Sequence, residues 1–122
     1  VKLVVEESES VALERHLEGP GALATSRLAI VEVPRATAIA NPAAEVRDEA
    51  MRMLASYMLV DISDGLLRAA AGLASASIRT LDAIHLASAL RIEADELVGY
   101  DRRLAAAAAD HGLVVTSPGS PA

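Results

Sequence analysis

The stretch Glu96-Leu-Val-Gly-Tyr-Asp-Arg-Arg-Leu-Ala-Ala-Ala-Ala-Ala-Asp-His-Gly-Leu-Val-Val-Thr116 decides how this chain folds. Glu96 to Tyr100 is a short apolar run of strand length, Asp101 opens a segment of Arg, Leu and Ala, and His111 and Gly112 close it. The alanines at 105–109 have the highest intrinsic helix propensity, so this segment is read as a helix. Leu113 to Thr116 is then a closing strand.

The same alternation extends towards the N-terminus. Thr80 is expected to cap a helix through Ile84, Leu86 and Leu90 to about Ile92. Before it, Ser63 is expected to cap a helix through Leu66, Leu67 and Leu73, followed by small residues ending at Ser77. Leu59 to Ile62 reads as a buried strand, and Ala43 to about Met58 as an amphipathic helix with Val46, Met51, Leu54 and Met58 on one face. Asn41-Pro42 marks a turn. Ala22 to Thr25 reads as a strand leading into a helix capped by Ser26, whose Pro34 deletes a backbone donor and should kink it. Val11, Leu13 and Leu17 form a short helical pattern that stops at Gly19-Pro20-Gly21, and Val1 to Val5 reads as the end of a further helix. Helices alternating with short apolar strands predict an α/β fold with a mainly parallel sheet covered on both faces.

A chain of 122 residues suits one domain and one core, built without Phe or Trp from Leu, Val, Ile, Ala and Met. The absence of cysteine excludes disulfides, thiol catalysis and thiolate zinc sites, and fits a reducing cytoplasm. Apolar runs such as Leu104 to Ala109 fall far short of the roughly 20 residues that span a bilayer, so no membrane association is expected. The formal charge of −6 is the wrong sign for nucleic-acid binding through an overall field. Any such activity must rest on local arginines and bound cations.

Three carboxylates stand where hydrophobic patterning would not put them. Glu32 interrupts the run Leu28 to Val33, Asp82 lies in the first turn of an apolar helix, and Asp101 lies where a strand passes into a helix. That last junction is at the carboxyl end of a parallel strand, where open α/β sheets place ligands. Taken singly, each has a plainer reading: a solvated helix residue, a first-turn acid complementing the helix dipole, and an N-cap. Brought together, they would repel one another in a partly desolvated site until a divalent cation neutralised them. An all-oxygen donor set suits Mg²⁺ or Mn²⁺, which can activate water and bind a phosphate. Spacing alone leaves both readings open.

Arg79-Thr-Leu-Asp-Ala-Ile-His-Leu-Ala-Ser-Ala-Leu90 followed by Leu97-Val-Gly-Tyr-Asp-Arg-Arg-Leu104 resembles the paired C-terminal motifs of the VapC toxins in the PIN-domain family. Ser26-Arg-Leu-Ala-Ile-Val-Glu-Val33 resembles the helix carrying that family's second acid, and Val1-Lys-Leu-Val-Val-Glu-Glu7 the stretch just after its first motif. The resemblance implies a PIN-like three-layer α/β/α fold in which Glu32, Asp82 and Asp101 are the second, third and fourth acids of a catalytic metal site. The first acid, in an Asp-Thr-Ser-like motif, would precede Val1. The expectation is therefore a single, N-terminally shortened PIN-like domain over 1–122, with the first strand of the sheet missing and a flexible tail over 117–122.

The implied activity is a Mg²⁺-dependent endoribonuclease, with Mn²⁺ as an alternative ion, acting as the toxin of a type II toxin-antitoxin system. The implied partners are RNA, a VapB-type antitoxin and a second copy of the chain in a homodimer. Arg27, Arg35, Arg79, Arg102 and Arg103 flank the acidic motifs and are the candidates for gripping RNA phosphates. With Tyr57 and Tyr100 as the only aromatics, base stacking is not expected to carry affinity. His85, three residues after Asp82 and so on roughly the same helical face, could touch the site, although a packed or solvent-facing residue is the plainer reading, and His16 and His111 are read as surface or helix-end residues. Val1 to Val5 and the helix around Met51 to Met58 are candidate interaction surfaces. A non-catalytic PIN-like interaction module and a nuclease acting on DNA are the competing readings of the same residues.

Overall fold

The computed structural model describes residues 1–5, 18–19, 21–40, 43–73 and 78–119. Its elements are β1 (Lys2–Val4), β2 (Leu23–Ser26), α1 (Ala29–Ala40), α2 (Ala44–Leu54), β3 (Met58–Val60), α3 (Asp64–Ala71), α4 (Thr80–Arg91), β4 (Glu96–Val98), α5 (Arg102–Asp110) and β5 (Val114–Thr116). The strands form a five-stranded sheet in the order β3-β2-β1-β4-β5. Every pairing is parallel. All the carboxyl ends therefore lie along one edge, and the winding reverses beside β1, which makes that place the switch point of the sheet.

The expected fold class of a parallel sheet covered by helices is observed. Leu3 and Leu97 belong to a core cluster with Leu86 and Ala89 of α4 and Leu104, Ala107 and Ala108 of α5. Their neighbours Val4 and Val98 belong to a separate cluster with Tyr57, Leu23 and Tyr100. Consecutive strand residues point to opposite faces, so the two clusters are the two sides of the sheet. Burial of Leu3, Leu66, Leu86, Leu97 and Leu104 is essentially complete, each contributing about 1.5–3 kcal/mol.

Val1 to Val5 corrects the sequence reading. A helix end was expected there and the first strand of the sheet was expected to be missing, yet Lys2–Val4 is the central strand, paired with both β2 and β4. Five residues are too few for periodicity to separate helix from strand. The valines favour a pleated surface, and a strand buried on both faces reads as an unbroken apolar run. Within this stretch, Leu3, Val4 and Val5 are withdrawn from any interaction surface, at 0%, 0% and 6% exposed.

Smaller differences have local causes. The helix expected to reach Met58 stops at Leu54, because the Ser56 backbone N–H and hydroxyl both donate to the Met53 carbonyl and Tyr57 N–H donates to Leu54. Met58 opens β3. Ser26 ends β2, and its hydroxyl accepts from Leu28 N–H at 3.1 Å rather than forming the helix N-cap. Thr80 is the first helical residue of α4 and Arg79 occupies the cap position. Ser63 does cap α3, accepting from Leu66 N–H, and Gly112 follows α5 at φ +82°, a conformation that glycine adopts without steric cost. Helix α1 runs through Pro34 to Ala40. Ser117 and Pro118, in the expected tail, are tied to Gly99 and to the Tyr100 hydroxyl. The expectations for Val11 to Leu17, His16, Asn41-Pro42, the small residues at 74–77 and the tail at 120–122 lie outside the described residues.

Candidate active site

Two helices begin at a common cleft. Asp101 immediately precedes α5 and is its N-cap, its Oδ1 accepting from Leu104 N–H at 2.9 Å. Asp82 lies in the first turn of α4, three residues after the cap residue Arg79, where a negative charge complements the helix dipole. Both acids thus sit where a helix start ordinarily favours a carboxylate, one as a cap and one beside the dipole's positive end. What local chemistry does not explain is their meeting: Asp82 and Asp101 line one cleft of about 250 Å³ together with Arg79, Arg102 and Arg103. A larger hollow of about 320 Å³ between α3 and α4 is lined by Leu67, Ala70, Leu73, Ile78 and Ile84 among others, and has no acid in its wall.

Burial pushes the Asp82 carboxyl above its usual range and the negative charge of Asp101 pushes it further, against the opposing pull of the Arg79 N–H, His85 and the Arg79 charge. Glu32 goes the other way. In the first turn of α1, its Oε1 lies 2.9 Å from Nε2 of the buried His85. This hydrogen bond holds its carboxyl below the usual range, with burial opposing and the His85 charge assisting. Asp82 therefore destabilises the fold when ionised: its raised pKa contributes stability at low pH that is lost as pH rises through the folded value. Glu32 contributes stability above its ordinary pKa that is lost as pH falls through its lowered one. Carboxyl NMR titration should place the Asp82 midpoint above that of an ordinary Asp and return it downwards in Asp101→Asn. An unchanged midpoint in that variant would show that Asp101 does not act on Asp82.

The three predicted acids are thus brought to one region but not to one point. Asp82 and Asp101 share the cleft, and Glu32 is joined to the α4 face through His85, one turn beyond Asp82. Among the described residues no three acid or histidine side chains stand close enough to hold a single metal ion. The Asp82–Asp101 pair is nonetheless chemically suited to a hard divalent cation. It offers only oxygen, its mutual repulsion is the kind a cation relieves, and such an ion keeps most of its waters when held by one or two carboxylates.

Of the predicted arginines, Arg79, Arg102 and Arg103 line the cleft. Arg27 instead donates from Nε to Asp61 at 2.8 Å, where both side chains are largely solvated. Arg35 is exposed on α1. His85 is both packed and in contact with the site, as its position three residues after Asp82 allowed, though its partner there, Glu32, was not expected. His111 is the C-cap of α5, its Nδ1 lying 2.9 Å from the Ala107 carbonyl.

Fold and site together define an α/β protein whose acidic cleft, rimmed by arginine, is built from helix N-termini. The family model described as PIN domain matches residues 1–110. Ribonuclease VapC46 of Mycobacterium tuberculosis (strain ATCC 25618 / H37Rv) is 40% identical over 120 residues, covering 97% of this chain and 91% of that protein. Ribonuclease VapC47 of Mycobacterium tuberculosis (strain CDC 1551 / Oshkosh) is 33% identical over 125 residues, covering 98% and 91%. The chain belongs to the PIN-domain family, among its VapC members.

Proposed function

We propose that this chain is a Mg²⁺-dependent endoribonuclease, with Mn²⁺ able to replace Mg²⁺, and the toxin of a type II toxin-antitoxin pair. The observation that carries the reading is the meeting of Asp82 and Asp101 in a cleft whose other walls are Arg79, Arg102 and Arg103. Asp82 and Asp101 would hold the ion, with Glu32 as the third acid. A divalent ion in such a site supplies an activated water and offsets charge on the phosphate oxygens.

The rest of the chemistry belongs to the chain. The three arginines bind the phosphates flanking the scissile one, each by a planar fork of donors matched to phosphate. The N-terminal ends of α4 and α5 add partial positive charge at the same place. In a protein of net charge −6 this local cluster is what draws a polyanion to the cleft.

A VapB-type antitoxin and a second copy of the chain are the proposed partners. Exposed apolar side chains on α1 (Ile30, Val31 and Ile39), on α2 (Met53) and on β3 (Met58) supply surface that such partners would cover. Among the described residues no helix is long and apolar enough to cross a membrane. We propose the cytoplasm as the working compartment.

One observation favours a second reading, a non-catalytic PIN-like module: both aspartates have ordinary helix-start roles, Asp101 as a cap and Asp82 in a first turn, and no three-ligand cluster is formed among the described residues. A single preparation distinguishes the two. The expected result is RNA cleavage in Mg²⁺ or Mn²⁺ that stops on chelation and on addition of antitoxin, from a species with the mass of a dimer by light scattering. No cleavage and no heat of Mn²⁺ binding would favour the module, and a monomer mass would remove the homodimer.

A further inference from the structure

His85 is 3% exposed, inside a run of α4 that is otherwise apolar except for Ser88. Three other buried side chains, Thr25, Ser26 and Ser88, are satisfied by backbone. Thr25 and Ser88 donate to the Val4 and Ile84 carbonyls, and Ser26 accepts from Leu28 N–H. His85 differs: its Nδ1 has no hydrogen-bond partner among the described residues, and its Nε2 faces Glu32 at 2.9 Å. With the ring hydrogen on Nε2, the imidazole donates to the carboxylate and leaves only a lone pair unpaired at Nδ1. An apolar side chain would fill the same space without an orphaned polar atom. The contact with Glu32 is the one feature of His85 that packing does not account for.

We propose that His85 is a positioning residue of the acidic site, its Nε2–H holding the Glu32 carboxylate of α1 beside the face of α4 that carries Asp82. This rests on the metal-site reading above. Asp82 and His85 are three residues apart and share a helical face, so α4 presents one acid and the clamp for another on the same side. The clamp engages Oε1 alone, and Glu32 Oε2 makes no hydrogen bond among the described residues, which leaves it for a cation. Without the clamp, a side chain that is 38% exposed regains rotamers that point into solvent. Outer partners of this kind change metal affinity by roughly 10–100-fold when removed.

Calorimetric titration of the full chain with Mn²⁺, together with thermal melting, tests this in the parent, His85→Leu, His85→Gln, Glu32→Gln and the double variant His85→Leu/Glu32→Gln. His85→Leu should weaken Mn²⁺ binding by roughly 10–100-fold. His85→Gln, which keeps an N–H donor, should recover most of the loss. The double variant should bind no worse than Glu32→Gln alone, because His85 acts through Glu32. Parental affinity in His85→Leu, equal losses in His85→Leu and His85→Gln, or additive losses in the double variant would overturn the proposal while leaving the metal site standing. A parent that binds no Mn²⁺ would overturn both.

Discussion

Asp101→Asn should leave the stability of the protein close to the parent value while lowering RNA cleavage by roughly a hundredfold or more. The two halves of this expectation come from two separable roles of one side chain. As the N-cap of α5 it accepts from Leu104 N–H, and asparagine caps a helix about as well as aspartate. As a charge it faces Asp82 across the cleft and raises the Asp82 pKa. The substitution keeps the cap, relieves that repulsion and removes one of the two carboxylates best placed to hold a cation. Loss of a preorganised electrostatic group commonly costs about 10²–10³ in rate. Asp101→Ala should lose cleavage similarly and also about 1 kcal/mol of stability through the lost cap. Single-turnover cleavage and urea denaturation of both variants would separate the roles. Full cleavage by Asp101→Asn would remove this carboxylate from the chemistry.

Leu97→Ala should be the more damaging change to the fold, lowering stability by about 2–5 kcal/mol and the melting temperature by roughly 10–20 °C. Leu97 is 1% exposed on β4 and packs in the cluster of Leu3, Leu86 and Leu104, so its removal opens a cavity where sheet, α4 and α5 meet. Total stability for a domain of this size is about 5–15 kcal/mol, so the loss is a large share of it. β4 also leads into Asp101, and a loosened strand should blur the cleft as well. Val114→Ala on the edge strand β5 is the matched control. That side chain is 62% exposed, and its truncation should change stability by no more than about 0.5 kcal/mol. Equal melting of the two variants would show that the core is not centred on β4.

The parts of the fold legible in the sequence are those set by local chemistry. The Ser63 cap, the Asp101 cap, the alanine-rich α5 and the Gly112 stop follow from hydrogen bonds and backbone preferences spanning four residues or fewer in either direction. Strand and helix order from Leu23 onwards follows from apolar runs and their breaks. Glu32, Asp82 and Asp101 stood out because charge interrupted an apolar pattern or sat at a strand-to-helix junction. Where the signal was ambiguous the sequence misled. Met58 fits the helical spacing from Leu54 but begins a strand, because Ser56 and Tyr57 close the helix first.

By itself, then, the sequence determined the parallel α/β class, the helices that carry the acids, and the family resemblance that assigns them a role. Tertiary structure alone decided three things. It put Val1 to Val5 in the middle of the sheet, because burial on both faces is a property of neighbouring strands and not of five residues. It set the cap of α5, Asp101, against the first-turn Asp82 of α4, so that two carboxylates each favoured at a helix start became a repelling pair suited to a cation. And it joined Glu32 to His85 across 53 positions of chain, a contact that no periodicity encodes because it depends on how α1 and α4 pack.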